Sequence, residues 1–189
     1  MKWTSIKSKI ATITLEKAAI NWCPIDLDTH ESGAQNYPLI LYPDAIRKKI
    51  MKHVQGQNVE LGGLLVGSIV GYGDSVEEII AIVVRDAIPS LDYESTAVSL
   101  TMSPKVWQSA NSRLSAEMLV IGWYHSHPNL GAFFSCVDKK TQKDFFSKNY
   151  NLGLVIDPVR EEEKWYIGAE AHEVAESQVR VFGFGLCPD

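Results

Sequence analysis

The chain has 189 residues, 46% of them hydrophobic and 22% charged, with a formal net charge of -5. This composition suits one globular domain with a sizeable core, and the acidic balance gives no reason to expect a nucleic-acid partner. No apolar run reaches the roughly 18 residues of a membrane span, and the N-terminus lacks the apolar stretch of a signal peptide. Cys23, Cys136 and Cys187 are odd in number and widely spaced, which argues against a disulfide framework and fits a reducing, cytoplasmic setting.

Residues 1–37 read as an N-terminal extension to a domain spanning 38–189. KIATITL alternates like a short strand, while the turn-rich stretch from Trp22 to Pro38 reads as a loop. Lys2, Lys7, Lys9 and His30 are expected to be solvated, and the extension to pack on the domain. YPLILY then predicts a strand, followed by Asp44 as N-cap of a helix. Ile46, Ile50 and Val54 line one face of that helix with Met51 adjoining, and Gly56 lies just past its end. His53 is expected at the boundary.

The segment from Val59 to Pro89 contains two apolar strands around GYGDS, which predicts a hairpin. Glu60 opens its first strand, where a glutamate taken alone is a solvated charge. Gly62 and Gly63 fit either a close approach of backbone or substrate, or a bulge. Glu77 and Glu78 lie at the turn end of the hairpin, and Glu117 begins a strand about 26 Å before His125 at about 3.3 Å per residue. Asp86 is expected near the same end as Glu60. The next stretch predicts a loop, one short alternating strand and a helix, with Ser103 as N-cap and Pro104 at N1. Val106, Trp107, Ala110 and Leu114 form its apolar stripe, with Trp107 expected in the core.

The richest stretch runs from His125 to Asp138. MLVIGWY reads as a strand ending in His125-Ser126-His127, and side chains two apart on a strand share a face. Ser135-Cys136-Val137-Asp138 fits a capping box that starts the following helix. His125, His127 and Asp138 would supply three ligands to one metal and leave a fourth position for water, the pattern of a catalytic zinc site. Two imidazoles favour zinc over magnesium, while manganese, iron and cobalt stay open. His-Ser-His, seven residues and Ser-x-x-Asp are expected together by accident at only about 10⁻⁴ in such a chain. Beyond it, Val137, Thr141 and Phe145 follow helical spacing. NLGLVIDP, KWYIGAE and QVRVFGFG predict three further strands, the first two joined by a tight connection after Asp157-Pro158.

His125-Ser126-His127, the spacer beginning at Pro128, and Ser135-x-x-Asp138 resemble the signature of the JAMM (MPN-plus) metallopeptidases. GWYHSHP and VDKKTQ are especially similar to the proteasome-lid deubiquitinase branch, and the likeness runs from about Leu39 to Gly168. The resemblance implies an α/β fold, with a curved, mostly antiparallel mixed sheet flanked by helices. It also implies one catalytic zinc on His125, His127 and Asp138. Glu60, just before Leu61-Gly62-Gly63-Leu64-Leu65, becomes the proton acceptor from water, and Ser135 the donor to the oxyanion. The implied activity is an isopeptidase that releases ubiquitin or a ubiquitin-like protein from lysine, or trims its C-terminal tail.

A metalloamidase acting on a sulfur-carrier protein or a small amide is the alternative, and a noncatalytic MPN scaffold is a third. The complete ligand set, with Glu60 and Ser135, counts against the scaffold. The short connection after Asp157, the loop NLGAFF and Cys136 depart from the family's wording at the rim of the site. Leu130 and Phe133 in that loop either contact substrate or enter the core.

Overall fold

The computed structural model describes residues 12–13, 37–71, 79–96 and 99–183. A mixed sheet is built from β1 (Thr12–Ile13), β2 (Leu39–Pro43), β3 (Gly62–Gly71), β4 (Ile79–Pro89), β7 (Leu119–Ser126), β8 (Leu152–Asp157), β9 (Glu162–Ile167), β10 (His172–Glu173) and β11 (Val179–Phe182). Its order is β10-β9-β8-β7-β3-β4-β2-β11, with β1 added in parallel to Ile69 and Val70 of β3. β5 (Tyr93–Thr96) and β6 (Ser99–Met102) pair separately as an antiparallel ribbon where one strand was expected. Helices α1 (Asp44–Val54), α2 (Lys105–Asn111) and α3 (Cys136–Phe145) complete the α/β architecture.

Burial explains the central strands. All ten residues of β3 and all six of β8 are buried, as an apolar run covered on both faces requires. One side of the sheet packs Leu65, Ile121, Tyr124, Leu154 and Ile156 against Ile50 and Val54 of α1. The other packs Leu64, Trp123, Val155 and Phe134 with Val106 and Ala110 of α2. Ile13 joins a smaller cluster with Leu39, Leu41, Val70 and Val83, so this part of the N-terminal segment packs on the domain. The other residues of 1–36, with Cys23 and His30, the hairpin turn with Glu77 and Glu78, and Cys187 fall outside the described residues.

Several local expectations are corrected. Pro43, not Asp44, is the N-cap of α1 and offers no side-chain cap, because β2 runs directly into the helix. Asp44 instead lies in the first turn, where a carboxylate meets the positive end of the helix dipole, and pairs with Lys48 at 2.6 Å. Trp107 is not a core residue: it is exposed, stacked on Phe146 with centroids 5.8 Å apart. The Val137 and Phe145 stripe faces outward, 65% and 70% exposed, while Asp138 and Gln142 form the buried face of α3. Pro104, not Ser103, is the N-cap of α2 and offers no side-chain cap, although Ser103 Oγ accepts the Lys105 N–H at 3.3 Å. Gly56 adopts φ +75° just beyond α1, as expected.

The topology decides where the chemistry sits. β7 and β8 are parallel, pairing Gly122 with Leu152 through Ser126 with Ile156, so the chain must cross over between them. α3 lies in that crossover, and its N-terminus is delivered to the C-terminal end of β7. β3 meets the same end antiparallel, with Gly62 opposite His125. Gly63 serves close packing within this sheet. A Cβ there would lie 2.2 Å from the Ile88 carbonyl oxygen and 2.8 Å from the Tyr124 ring. Gly63→Ala should therefore cost about 2 kcal/mol or more, as for other overpacked sites, read as a lowered urea midpoint at constant slope. An unchanged midpoint would show that β3 and β4 do not pack this closely.

Candidate metal centre

His125 and His127 project from the end of β7 with their Nε2 atoms 3.2 Å apart. Asp138 reaches them from the first turn of α3, its Oδ1 3.3 Å from His125 Nε2 and its Oδ2 3.5 Å from His127 Nε2. A tetrahedral zinc with bonds of 2.0–2.1 Å sets neighbouring donors about 3.4 Å apart; the two imidazole nitrogens lie near that spacing, and Asp138 offers a different carboxylate oxygen to each of them. All three residues are buried, and neither Nδ1 has a hydrogen-bond partner. Two facing imidazoles beside a carboxylate are costly to bury without a cation. The donor set therefore fits a metal.

The capping box that the sequence suggests is present, and it aims the ligand. Ser135 N–H donates to Asp138 Oδ2 at 2.7 Å, while Asp138 N–H donates to Ser135 Oγ at 3.2 Å. The reciprocal pair starts α3 and fixes the carboxylate toward the imidazoles. Burial opposes ionisation of Asp138, but hydrogen bonds from His125 and His127 outweigh it and hold its carboxyl far below the usual range. Burial lowers the pKa of His125. It works the same way on His127, where the Asp138 and Glu60 carboxylates prevail and raise it; the Gly131 backbone adds to this without reaching hydrogen-bonding geometry.

Glu60 is buried at the entrance to β3, its Oε1 3.5 Å from His127 Nε2. The middle residue of His-Ser-His holds it there. Ser126 Oγ accepts Leu61 N–H at 3.0 Å, and Ser126 N–H donates to the Leu61 carbonyl at 2.8 Å. Burial pushes Glu60 up from 4.5 to about 7, with His127 pulling down and Asp138 pushing up. Asp86 has a different environment. Burial would raise its pKa, but Lys49 at 2.5 Å, the Ala87 N–H and Arg113 at 3.0 Å outweigh it and hold it low. Glu117 lies by the far end of β3, where its carbonyl accepts from Ser68.

Two further polar residues support the centre. Asp157 is fully buried, and its carboxylate accepts the N–H groups of Asn129, Gly131, Val159 and Arg160 at 2.7–3.1 Å. It thereby holds the loop after His127, in which Asn129 and Gly131 take φ values of 61° and 93°. Gln142 bonds Trp123, whose ring stacks on His125. The spacing Asp138 to Gln142, one helical turn, was the available signal for Gln142. Nothing local marks Asp157 beyond its place before a proline. Leu130 and Phe133 are 43% and 47% exposed, so they belong to the rim, and the Phe133 ring sits 5.1 Å from that of His127.

Residues 36–150 match the protein family described as JAB1/Mov34/MPN/PAD-1 ubiquitin protease. The chain belongs to this family. The resemblance drawn from its metal-ligand spacing is thus borne out. Over 119 residues the chain is 31% identical to ubiquitin carboxyl-terminal hydrolase RPN11 of Saccharomyces cerevisiae, covering 59% of this chain and 36% of that protein. Over 146 residues it is 30% identical to COP9 signalosome complex subunit 5a of Arabidopsis thaliana, covering 71% of this chain and 39% of that one. It therefore spans little more than a third of the length of these curated relatives. Protein DSY2949 from Desulfitobacterium hafniense shares the fold, with a TM-score of 0.57 at 19% identity over 77% of this chain and 94% of that one. Among the described residues, no helix is long and apolar enough to cross a membrane.

A pH dependence follows for this JAB1/Mov34/MPN/PAD-1 member in its metal-free state. Glu60 ionises near 4.5 when unfolded and near 7 when folded. Between these values the native state binds the extra proton, so the Glu60 contribution to stability falls as pH rises. Glu60→Gln should accordingly gain stability relative to wild type from pH 4.5 to 7, measured by urea unfolding with chelator present. A difference that is flat with pH would mean that Glu60 titrates normally.

Proposed function

We propose that the chain is a zinc-dependent isopeptidase that releases ubiquitin or a ubiquitin-like protein from lysine conjugates, or trims its C-terminal tail, in the cytoplasm. The observation that carries this reading is one buried cluster in which Glu60 lies 3.5 Å from His127, and His127 in turn lies within 3.5 Å of His125 and Asp138. A scaffold would not need a proton-accepting carboxylate beside a complete ligand set. In this reading the domain spans residues 38–189, with residues 1–37 as an N-terminal extension.

His125, His127 and Asp138 hold the metal, which when bound supplies Lewis acidity for the scissile carbonyl and the attacking water. Glu60 accepts the water's proton and delivers it to the leaving amine. Its carboxylate lies 3.5 Å from His127 Nε2, within reach of a water held at the open position. Ser135 Oγ uses a lone pair for the Asp138 N–H, and its own proton is donated to the developing oxyanion. Loss of such a donor commonly costs on the order of 10²-fold in rate.

The substrate is an extended tail ending Gly-Gly that runs along the sheet near Glu60 and the loop after Pro128. Main-chain hydrogen bonds hold it, and its small residues admit the carbonyl closely. The exposure of Leu130 and Phe133 beside His127 supports a tail-contacting rim. The four-residue link from Asp157 to Glu162 leaves little structure there to read the linkage of a ubiquitin chain. The second reading, a metalloamidase on a sulfur-carrier protein or small amide, uses the same residues.

The purified protein should bind about one zinc, as three protein ligands with an open position dictate. Asp138→Ala should lose most of it by metal analysis, and full occupancy in a His125, His127 and Asp138 triple alanine variant would refute the assignment. A panel of tagged ubiquitin-like C-termini, with and without chelator, separates the readings. Cleavage should require metal and fall at least tenfold when the tail's penultimate Gly becomes Val, whereas turnover of a small amide alone would favour the second.

A further inference from the structure

Gln142 is a fully buried amide on the inner face of α3, one turn after Asp138. Its Oε1 accepts the Trp123 Nε1–H at 2.7 Å. Its Nε2 lies 3.2 Å from the Phe146 carbonyl, 3.1 Å from that of Asn151 and 3.2 Å from that of Gly168. Both ends of the amide are therefore used, and no alternative flip preserves the network.

Trp123 carries this contact to the metal-facing histidines. Its ring lies parallel to that of His125, with centroids 4.5 Å apart and planes 9° from parallel. Phe146 stacks on it at 5.9 Å and 11°, and Phe134 packs at 5.6 Å. The hydrogen bond from Nε1 fixes the indole's rotation within that stack, and the stacked imidazole follows. Asp138 rides on the helix that Gln142 anchors, and His125 on the strand that Trp123 occupies. Packing alone does not call for this arrangement, because a buried hydrogen-bonded pair replaced by apolar groups of the same shape is often nearly neutral.

We propose that Gln142 is a positioning residue for the metal centre. Through Trp123 it locks the strand bearing His125 to the helix bearing Asp138, and so sets the spacing of their donor atoms. The inference rests on the assignment of His125, His127 and Asp138 as metal ligands. Residues that orient ligands in this way typically change metal affinity by roughly 10–100-fold when lost.

The test measures zinc affinity by competition with a chromophoric chelator, together with the visible absorption of the cobalt-substituted protein. Gln142→Met fills the same volume without the amide and should weaken affinity by roughly 10–100-fold and alter the cobalt spectrum. Trp123→Phe keeps a stacked ring without the donor and should move both readouts the same way. The double variant should be no weaker than Gln142→Met, because one contact is being removed twice. If Gln142→Met does not fold, Trp123→Phe carries the test. A wild type that takes up no metal would overturn the ligand assignment itself. Wild-type uptake with both variants within about twofold in affinity and unchanged in spectrum would overturn the positioning role alone.

Discussion

The reciprocal hydrogen bonds between Ser135 and Asp138 start α3 and aim the Asp138 carboxylate in one arrangement, and the rest of the centre is built around that coincidence. A helix needs its first N–H groups satisfied, and the capping box meets that need here. The crossover between the parallel strands β7 and β8 puts this helix end beside His125 and His127. Ser126, between the two histidines, binds both polar groups of Leu61 and so brings Glu60 alongside. Bonds at Ser126 thus join the Glu60 segment to the histidine strand, and the Asp138 carboxylate reaches both histidines from the capped helix end.

The electrostatic cost of the arrangement is concentrated in the same place. Two imidazoles and two carboxylates are buried together, and burial disfavours the charged form of each. Asp138 stays ionised because both histidines bond it, whereas Glu60 is held near neutrality in its affinity for a proton. The facing Nε2 atoms, 3.2 Å apart, are donors that could hold a cation. Asp86 illustrates the contrast: equally a carboxylate on the sheet, it is saturated by Lys49 and Arg113 and serves the attachment of α1 and the segment after α2.

Much of this was legible in the sequence. The alternation of His125 and His127, the capping box and the apolar strands follow from local rules of period and capping, and they fixed the centre's ligands as candidates. Glu60 was not legible from its own surroundings, since a glutamate before an apolar strand is an ordinary surface charge; the family resemblance and then the burial of the site single it out. Helix α3 was misread in orientation. Its apolar spacing pointed to Val137 and Phe145, but the polar residues Asp138 and Gln142 face inward because the buried network there is polar. Asp157 escaped notice because its partners are four backbone N–H groups, which leave no trace in side-chain pattern. The paired β5 and β6 ribbon lacks the Asn-Gly or Asp-Gly turn that would have announced it.

In the proposed mechanism Glu60, and no other carboxylate, works beside a metal it does not hold. The most direct measurement determines metal content and hydrolysis of a tagged ubiquitin-like tail for Glu60→Gln and Asp86→Asn in parallel. Glu60→Gln should keep the wild-type metal content and lose hydrolysis, chiefly in kcat, while folded Asp86→Asn should retain both. An active Glu60→Gln beside a folded, metal-loaded but inactive Asp86→Asn would assign the proton transfer to Asp86 instead.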